Sequence, residues 1–197
     1  MDNTQDMDRP EGDGLASGIG LSPASRRRGR MIFCPQLYCK SDVTQIDVQA
    51  LKRSGINAVL LDLDNTLTEW QNHQIPQNIL DWIEGLKSAG IKLCLVSNTR
   101  FGKRLKSVSE ELKIPFVRRA FKPRKKGFQN AMIELGSSPA NTVMIGDQMF
   151  TDVLGANRVG IYTIMVKPLG RREFFGTKIS RAFELIFLYF YRRGGHI

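Results

Sequence analysis

The sequence predicts an α/β protein in which helices cover both faces of a central parallel sheet. Three apolar runs of strand length begin at Ala58, Lys92 and Thr142, and each ends in small polar or acidic residues. Segments with helical spacing separate these runs, and strands joined through helices pair in parallel by right-handed crossovers. The carboxyl ends of such strands share one edge of the sheet, where open α/β sheets bind ligands. We therefore expect the functional residues at that edge.

The other predicted elements follow from helical periodicity and from the glycines that end helices. Val48 and Leu51 mark the inward side of a short helix. An irregular segment over 34–40 and a helix over 47–53 precede the strand at 58. A helix containing 79–86, which Gly90 ends, leads to the strand at 92, and a helix after Thr99, a short strand near 115–118 and a helix containing 128–135, which Gly136 ends, lead to the strand at 142. A helix from about Asp152 to Arg158 and a last strand over 161–166 follow.

The run at Ala58 delivers two carboxylates and a hydroxyl at alternate positions, Asp62, Asp64 and Thr66. Beyond the end of the strand, Asp62 and Asp64 can both face one pocket, so that one carboxylate attacks while the other moves protons. Two carboxylates this close repel each other, which favours a hard divalent cation such as Mg²⁺. Taken alone, this motif fits a solvated Asp/Asn turn better than a catalytic site.

Three later stretches change that interpretation. The second run ends in Ser97 and Asn98, whose small polar groups suit a phosphate oxygen. Lys122 opens a segment that leads into a helix, where the side chain can serve as a fixed cation. Asp147 ends the third run and Asp152 follows closely. With the first run, these residues supply the nucleophile, oxygen anchor, cation and metal ligand of a phosphoryl-transfer site.

Composition limits the classes of partner. A chain of 197 residues with 42% hydrophobic content can fill the core of one domain. The net charge of +10 implies a polyanionic partner, which could be nucleic acid, an anionic membrane or a phosphorylated substrate. Three cysteines without paired spacing do not form a disulfide framework, and two histidines argue against a zinc site.

The ordered motifs resemble those of the haloacid dehalogenase (HAD) phosphohydrolase superfamily. The matching segments are 62–66, 97–99, 122–123 and 146–152. The segments 64–67 and 146–158, with Trp70 and the Lys122-Pro123 pair, are more closely similar to subfamily IIIA of the YqeG type. That group includes phosphatidylglycerophosphate phosphatases. The resemblance covers roughly residues 33–169.

This resemblance implies a Rossmannoid three-layer α/β/α fold, Mg²⁺ as cofactor, and a role for each motif residue. Asp62 would attack phosphorus and form an aspartyl phosphate, and Asp64 would act as general acid and then general base. Lys122 would neutralise the phosphoryl oxygens. The remaining expected roles are phosphate binding by Ser97, Asn98 and Lys122, metal binding by Asp62, Asp147 and a backbone carbonyl at or near Asp64, and support by Thr66 and Asp152.

The spacing between the motifs leaves no room for a cap domain, and by resemblance capless members act on large or surface-bound substrates. Two features then favour a lipid. The segment 100–126 carries eleven basic residues against two acidic ones, although a solvated helix face explains any single member except Lys122 better. The run 179–191 places aromatic residues between basic ones, which suits an interfacial helix as well as it suits docking on the domain or on a second subunit.

We therefore expect a magnesium-dependent phosphatase that converts phosphatidylglycerophosphate to phosphatidylglycerol. The alternatives are a capless phosphatase for a protein or nucleic-acid phosphate and a non-catalytic binding module. Expected partners are an anionic phospholipid and the membrane surface, with no specific nucleic acid, and the oligomeric state stays open. Without a signal-peptide pattern, we expect a cytoplasmic location at the inner face of the membrane. The expected domains are a disordered, basic-ended tail over 1–30, a HAD-like domain over 31–170 and an amphipathic segment over 171–197.

Overall fold

The computed structural model describes residues 32–70, 72, 74–100 and 102–170. In this part of the chain, six parallel strands form one sheet with the order β1-β6-β5-β2-β3-β4. The parallel sheet predicted from the sequence is therefore confirmed. The strands are β1 (Leu37–Cys39), β2 (Ala58–Leu61), β3 (Lys92–Val96), β4 (Phe116–Val117), β5 (Thr142–Gly146) and β6 (Tyr162–Val166).

Helices cover both faces of this sheet. Alternate residues of β2 point to opposite sides, with Val59 and Leu61 in one apolar cluster and Leu60 in the other. The first cluster contains Leu51 of α1 and the buried apolar residues of α2 and α3, and the second contains the buried apolar side chains of α4 and α5. This arrangement is the predicted three-layer α/β/α architecture. The helices are α1 (Val48–Arg53), α2 (Gln77–Ser88), α3 (Gly102–Leu112), α4 (Lys125–Leu135) and α5 (Leu154–Arg158).

Most predicted elements are found at their expected places. Leu51 is buried in α1, whereas Val48 is half-buried against the same cluster. Gly90 follows α2, and Gly136 ends α4 in the left-handed conformation at φ 60°. Trp82 of α2 is buried and its Nε1 donates to the Ile46 carbonyl at 2.9 Å. Local periodicity therefore predicted these helices correctly.

Two predictions need correction. The segment 34–40 was expected to be irregular, but it contains β1, which pairs with β6 at the sheet edge. Three residues beside Pro35 show no periodic pattern, and only the tertiary contact defines this strand. The helix expected from about Asp152 begins earlier, as a π-helical turn over Met149–Val153 that runs into α5.

The connections between the motif strands are short. Only a loop and α2 join β2 to β3, while α3, β4 and α4 lie between β3 and β5. In the described ranges, therefore, no cap domain is inserted into the sheet. None of the helices that the structure describes is long and apolar enough to cross a bilayer. The predicted tail over 1–30 and segment over 171–197 lie outside the described residues.

Candidate active site

The site lies at the carboxyl edge of three adjacent strands. The central strand β2 lies between β5 and β3. From β2 the chain moves outward to β3 and β4 and then returns to β5 on the other side, which makes β2 and β5 the topological switch point. Because the three strands are parallel, the residues that follow them converge. This convergence brings Asp62, Ser97 and Asp147 to one end of the sheet.

Asp62 follows β2 directly and is buried. Its backbone nitrogen donates to the Ile145 carbonyl at 3.0 Å, which extends the pairing of β2 with β5 and holds the residue at the sheet edge. Its Oδ1 accepts a hydrogen bond from Lys122 Nζ at 2.5 Å. Burial raises the pKa of Asp62 to about 7, although the Lys122 ammonium opposes this rise and Asp152 adds to it.

Lys122 is a buried cation between two carboxylates. Its Nζ lies 2.5 Å from Asp62 Oδ1 and 2.6 Å from Asp152 Oδ1. Burial alone would lower the pKa of this lysine, but the negative charges of Asp152 and Asp62 outweigh it and raise the pKa above the usual value. Lys122 is therefore charged in the site. It occupies the position that the sequence predicted for a fixed cation.

The Asn98 side chain forms hydrogen bonds with the backbone of Lys122. Its Oδ1 accepts from the Lys122 backbone nitrogen at 2.7 Å, and its Nδ2 donates to the Lys122 carbonyl at 3.1 Å. The side chain predicted to bind phosphate is thus engaged with the main chain of another site residue. The buried Ser97 Oγ accepts from the Thr99 backbone nitrogen at 3.1 Å. Phosphate binding by Ser97 and Asn98 stays a prediction.

Asp152 reaches the site from the π-helical turn after β5. Its Oδ2 accepts from the Gln148 backbone nitrogen at 3.1 Å, and its Oδ1 faces Lys122. A Cβ atom at Gly146 would lie 2.3 Å from Asp152 Oδ2. Glycine at this position therefore allows the carboxylate to pack directly against the end of β5.

The acidic residues fit a hard divalent cation. Asp62, Asp147 and Asp152 are all buried, and one oxygen of each lies within 4.8 Å of the others. The three donors are carboxylate oxygens, and no histidine or cysteine joins this cluster among the described residues, which suits Mg²⁺. Asp152, predicted as a supporting residue, thus joins the predicted ligands Asp62 and Asp147 in one cluster, which does not include Asp64.

Asp64 lies in a different environment from Asp62. It starts a tight turn in which Asn65 adopts a positive φ of 61°, a conformation that asparagine tolerates well. Within this turn Thr66 is fully buried, and its Oγ1 has no hydrogen-bond partner among the described residues. The Asp64 carboxylate is half-buried and forms an ion pair with Arg104 of α3. The two carboxylates of the motif therefore differ in how deeply they are buried and in the basic side chain that each contacts.

Sequence reasoning did not identify Arg104 as a member of the site. It was one of eleven basic residues between 100 and 126, and a solvated face was the favoured interpretation for each of them other than Lys122. The available signal was its position in the first turn of the helix that follows β3, because that turn starts at the carboxyl edge of the sheet. Periodicity alone does not show that its side chain points to Asp64.

Comparison with known proteins agrees with this geometry. A family described as mitochondrial PGP phosphatase matches residues 27–169. The chain belongs to the PGP phosphatase family. It is a HAD-type phosphatase, as the motif order predicts. The chain is 38% identical over 168 residues to the probable phosphatase YqeG of Bacillus subtilis, covering 85% of this chain and 96% of that protein.

A second relative carries a substrate in its name. The chloroplastic phosphatidylglycerophosphate phosphatase 1 of Chlamydomonas reinhardtii is 28% identical over 188 residues, which cover 91% of this chain and 70% of that protein. A crystal structure of an uncharacterized protein from Listeria monocytogenes superposes with a TM-score of 0.50 and 22% identity. It covers 60% of this chain and 85% of that one, and supports the fold alone.

Proposed function

We propose that this member of the PGP phosphatase family hydrolyses the phosphomonoester of phosphatidylglycerophosphate through an aspartyl phosphate on Asp62. The observation that carries the proposal is the buried group of Asp62, Lys122, Asp147 and Asp152 at the carboxyl edge of β2 and β5. A single cation among three carboxylates leaves the site negative, which suits Mg²⁺ and a phosphoryl group together. The proposed substrate is the one in the name of the Chlamydomonas reinhardtii relative.

In the first chemical step, a carboxylate oxygen of Asp62 attacks phosphorus. The bond from phosphorus to the alkoxide of the leaving group breaks, and the phosphoryl group is transferred to Asp62. Lys122 lies next to the attacked phosphorus because it contacts Asp62, and there it offsets the negative charge of the phosphoryl oxygens. Asn98 keeps this lysine in place by holding both its backbone nitrogen and its backbone carbonyl.

Asp64 moves the protons of both steps. It is less buried than Asp62 and lies on the solvent side, where the leaving group departs and water arrives. Asp64 gives a proton to the departing alkoxide, and it then takes a proton from the water that cleaves the aspartyl phosphate. The products are phosphatidylglycerol and inorganic phosphate, and Asp62 is regenerated.

Asp62, Asp147 and Asp152 would hold Mg²⁺, together with the backbone carbonyl predicted near Asp64. When bound, the cation would polarise the phosphoryl oxygens and reduce their repulsion with the nucleophile. Ser97 lies buried at the end of the neighbouring strand, where its hydroxyl can meet a phosphoryl oxygen.

The shape and charge of the surroundings favour a lipid. Without a cap in the described ranges, the site is open to a headgroup that projects from a membrane. A basic recess of about 440 Å³ lies between α3 and β4, lined by Gly102, Lys103, Lys106, Phe116 and Arg118. A cationic recess attracts the anionic surface of a leaflet. We propose that the enzyme works as a peripheral protein at the cytoplasmic, inner face of the membrane.

The first experiment measures phosphate release from phosphatidylglycerophosphate in mixed micelles, with Mg²⁺ and with chelator, beside glycerol 3-phosphate. We expect fast, metal-dependent release from the lipid by the wild type and none by the Asp62→Asn protein, because the amide cannot attack phosphorus. A thermal melt of that variant shows that the fold is kept. Substantial turnover by folded Asp62→Asn would contradict the mechanism.

The same assay separates the substrate classes. Metal-dependent release from glycerol 3-phosphate without release from the lipid would keep the phosphatase and reject the lipid. Phosphoproteins and 5′-phosphorylated oligonucleotides would then be tested, each across a salt series, because binding to nucleic acid weakens steeply with salt. Absence of turnover on all of these substrates would favour the non-catalytic binding module.

A further inference from the structure

Arg104 is fixed beside Asp64 by three contacts of its guanidinium group. Its Nη1 donates to Asp64 Oδ1, its Nε donates to the Asn72 carbonyl at 2.7 Å, and its Nη2 donates to the Glu69 carbonyl at 3.4 Å. The two carbonyls belong to the loop that follows the catalytic turn, so they set the plane of the guanidinium. A fixed guanidinium loses little entropy when it binds a second partner.

The ion pair lies at the outer rim of the site. The side chains of Arg104 and Asp64 are 16% and 24% exposed, whereas those of Lys122 and Asp62 are 3% and 7% exposed. Lys122 therefore serves the transferred phosphoryl group in the buried part of the site. In the proposed function, Asp64 protonates the leaving oxygen, so a group beside Asp64 on the solvent side faces the leaving group.

The leaving group of the proposed substrate carries its own negative charge. In phosphatidylglycerophosphate, three carbons separate the scissile oxygen from the phosphodiester that connects to the diacylglycerol. The guanidinium fork matches the geometry of two phosphate oxygens. The present contact with Asp64 Oδ1 shows that an anionic oxygen can occupy the place in front of Nη1.

Resting on the proposed function, we propose that Arg104 determines specificity by binding a second anionic group on the leaving group of the substrate. Asp64 is its partner while the substrate is absent, and the phosphodiester of the lipid is its partner when the substrate is bound. The site would thereby select phosphomonoesters with a second phosphate three carbons away. Simple phosphomonoesters lack that group and gain nothing from Arg104.

Lys106 on the same helix provides the matched control. It lies 3.6 Å from Glu110, and the two side chains are 67% and 65% exposed. A solvated lysine contributes through the general field, which salt screens, rather than through a fixed contact. Replacement of Arg104 or of Lys106 removes one positive charge from α3. Comparing the two variants therefore separates the effect of the position of Arg104 from the effect of net charge.

The test compares propane-1,3-diol bisphosphate with propane-1,3-diol monophosphate, which share the three-carbon spacer and differ in the second anionic group. We expect the wild type to show a kcat/KM at least about tenfold higher for the bisphosphate after correction for its two equivalent phosphates. Arg104→Met should lower this ratio about tenfold or more, and Arg104→Lys should keep part of it. Lys106→Met should leave the ratio unchanged, because both compounds are soluble and do not use the membrane contact proposed for the recess that Lys106 lines.

A purely structural or orienting role for Arg104 predicts a different result. Loss of Asp64 orientation would lower kcat/KM for both compounds by the same factor and leave the ratio intact, which would overturn the proposal. A wild type without preference for the bisphosphate, or a ratio that Lys106→Met reduces as strongly as Arg104→Met, would also overturn it. Because the readout is a ratio, partial loss of folded Arg104→Met protein does not change it.

A third substrate separates this proposal from the proposed function. Dihexanoyl phosphatidylglycerophosphate below its micellar concentration presents the phosphodiester without a membrane surface. If Arg104→Met slows its hydrolysis no more than that of the monophosphate, the Arg104 proposal fails while the lipid substrate stands. If the wild type hydrolyses neither this lipid nor phosphatidylglycerophosphate in mixed micelles but prefers the bisphosphate through Arg104, the lipid substrate fails while the specificity role stands.

Discussion

Replacement of Lys122 by methionine is the most informative perturbation of the candidate site. Methionine is unbranched and similar in length, so the change removes the charge while keeping most of the packing. The Lys122 ammonium lies 2.5 Å from Asp62 and 2.6 Å from Asp152, and all three side chains are buried. Without it, three neighbouring carboxylates share a buried volume with no cation from the protein among the described residues.

The size of the effect follows from this burial. Removing one partner of a buried ion pair lowers the free energy of unfolding by about 3–5 kcal/mol. The loss depends on pH, because the pKa of Asp62 is already raised to about 7 and rises further without Lys122. Below that pKa Asp62 is neutral and the repulsion is weaker, so we expect a larger loss of stability at pH 8 than at pH 6.

Catalysis should suffer as well. Loss of a buried group that stabilises transition-state charge lowers kcat by about 100- to 1,000-fold. The assay measures kcat/KM for the lipid and for glycerol 3-phosphate, together with urea unfolding in chelator at pH 6 and pH 8. Lys125→Met is the matched control, because this neighbouring lysine is exposed at the start of α4. A catalytic loss below about tenfold, or roughly 1.4 kcal/mol, in folded Lys122→Met would refute the reasoning and move the role to Lys125 or Lys126.

Three further predictions concern the metal, the pH dependence and the packing at β5. Chelation should abolish turnover. Mg²⁺ at about 100 times its Kd should raise the free energy of unfolding by about 2.7 kcal/mol. Urea unfolding measures this change, and an unchanged midpoint would argue against the carboxylate site. Because folding raises the pKa of Asp62 from 3.8 to about 7, its stabilising contribution in metal-free protein is complete below 3.8 and is lost as the pH rises through 7. Metal-free Asp62→Asn should therefore gain stability relative to wild type between pH 5 and pH 8, and a constant difference would contradict this pKa. Gly146→Ala should lower kcat about tenfold or more, because the new Cβ displaces Asp152. Gly85→Ala is the control and should leave kcat unchanged, because its Cβ would meet only Val48 at 3.9 Å. Equal kinetics in the two variants would refute the packing argument.

The sequence by itself determined the fold class, the order of the helices and the residues at the ends of three strands. Apolar runs, helical spacing and glycine stops are local signals, and they correctly predicted β2, β3 and β5 with Asp62, Ser97 and Asp147 behind them. Family membership was predictable for the same reason, because the motifs lie in segments whose order is visible along the chain. The edge strand β1 was missed because a three-residue strand beside Pro35 has no local pattern and depends on its pairing with β6.

Only the tertiary structure decided which side chains meet. Lys122 and Asp62 are separated by 60 positions along the chain, yet their atoms are 2.5 Å apart. The strands before them, β2 and β4, are parallel and lie in one sheet with only β3 between them, so both residues follow the same edge of the sheet. The same holds for Arg104, which was indistinguishable from nine other basic residues of the segment 100–126 until α3 placed it beside Asp64. Composition records how many charges a segment carries, whereas burial and distance determine which of them act. Those two quantities arise only when distant segments pack against one another.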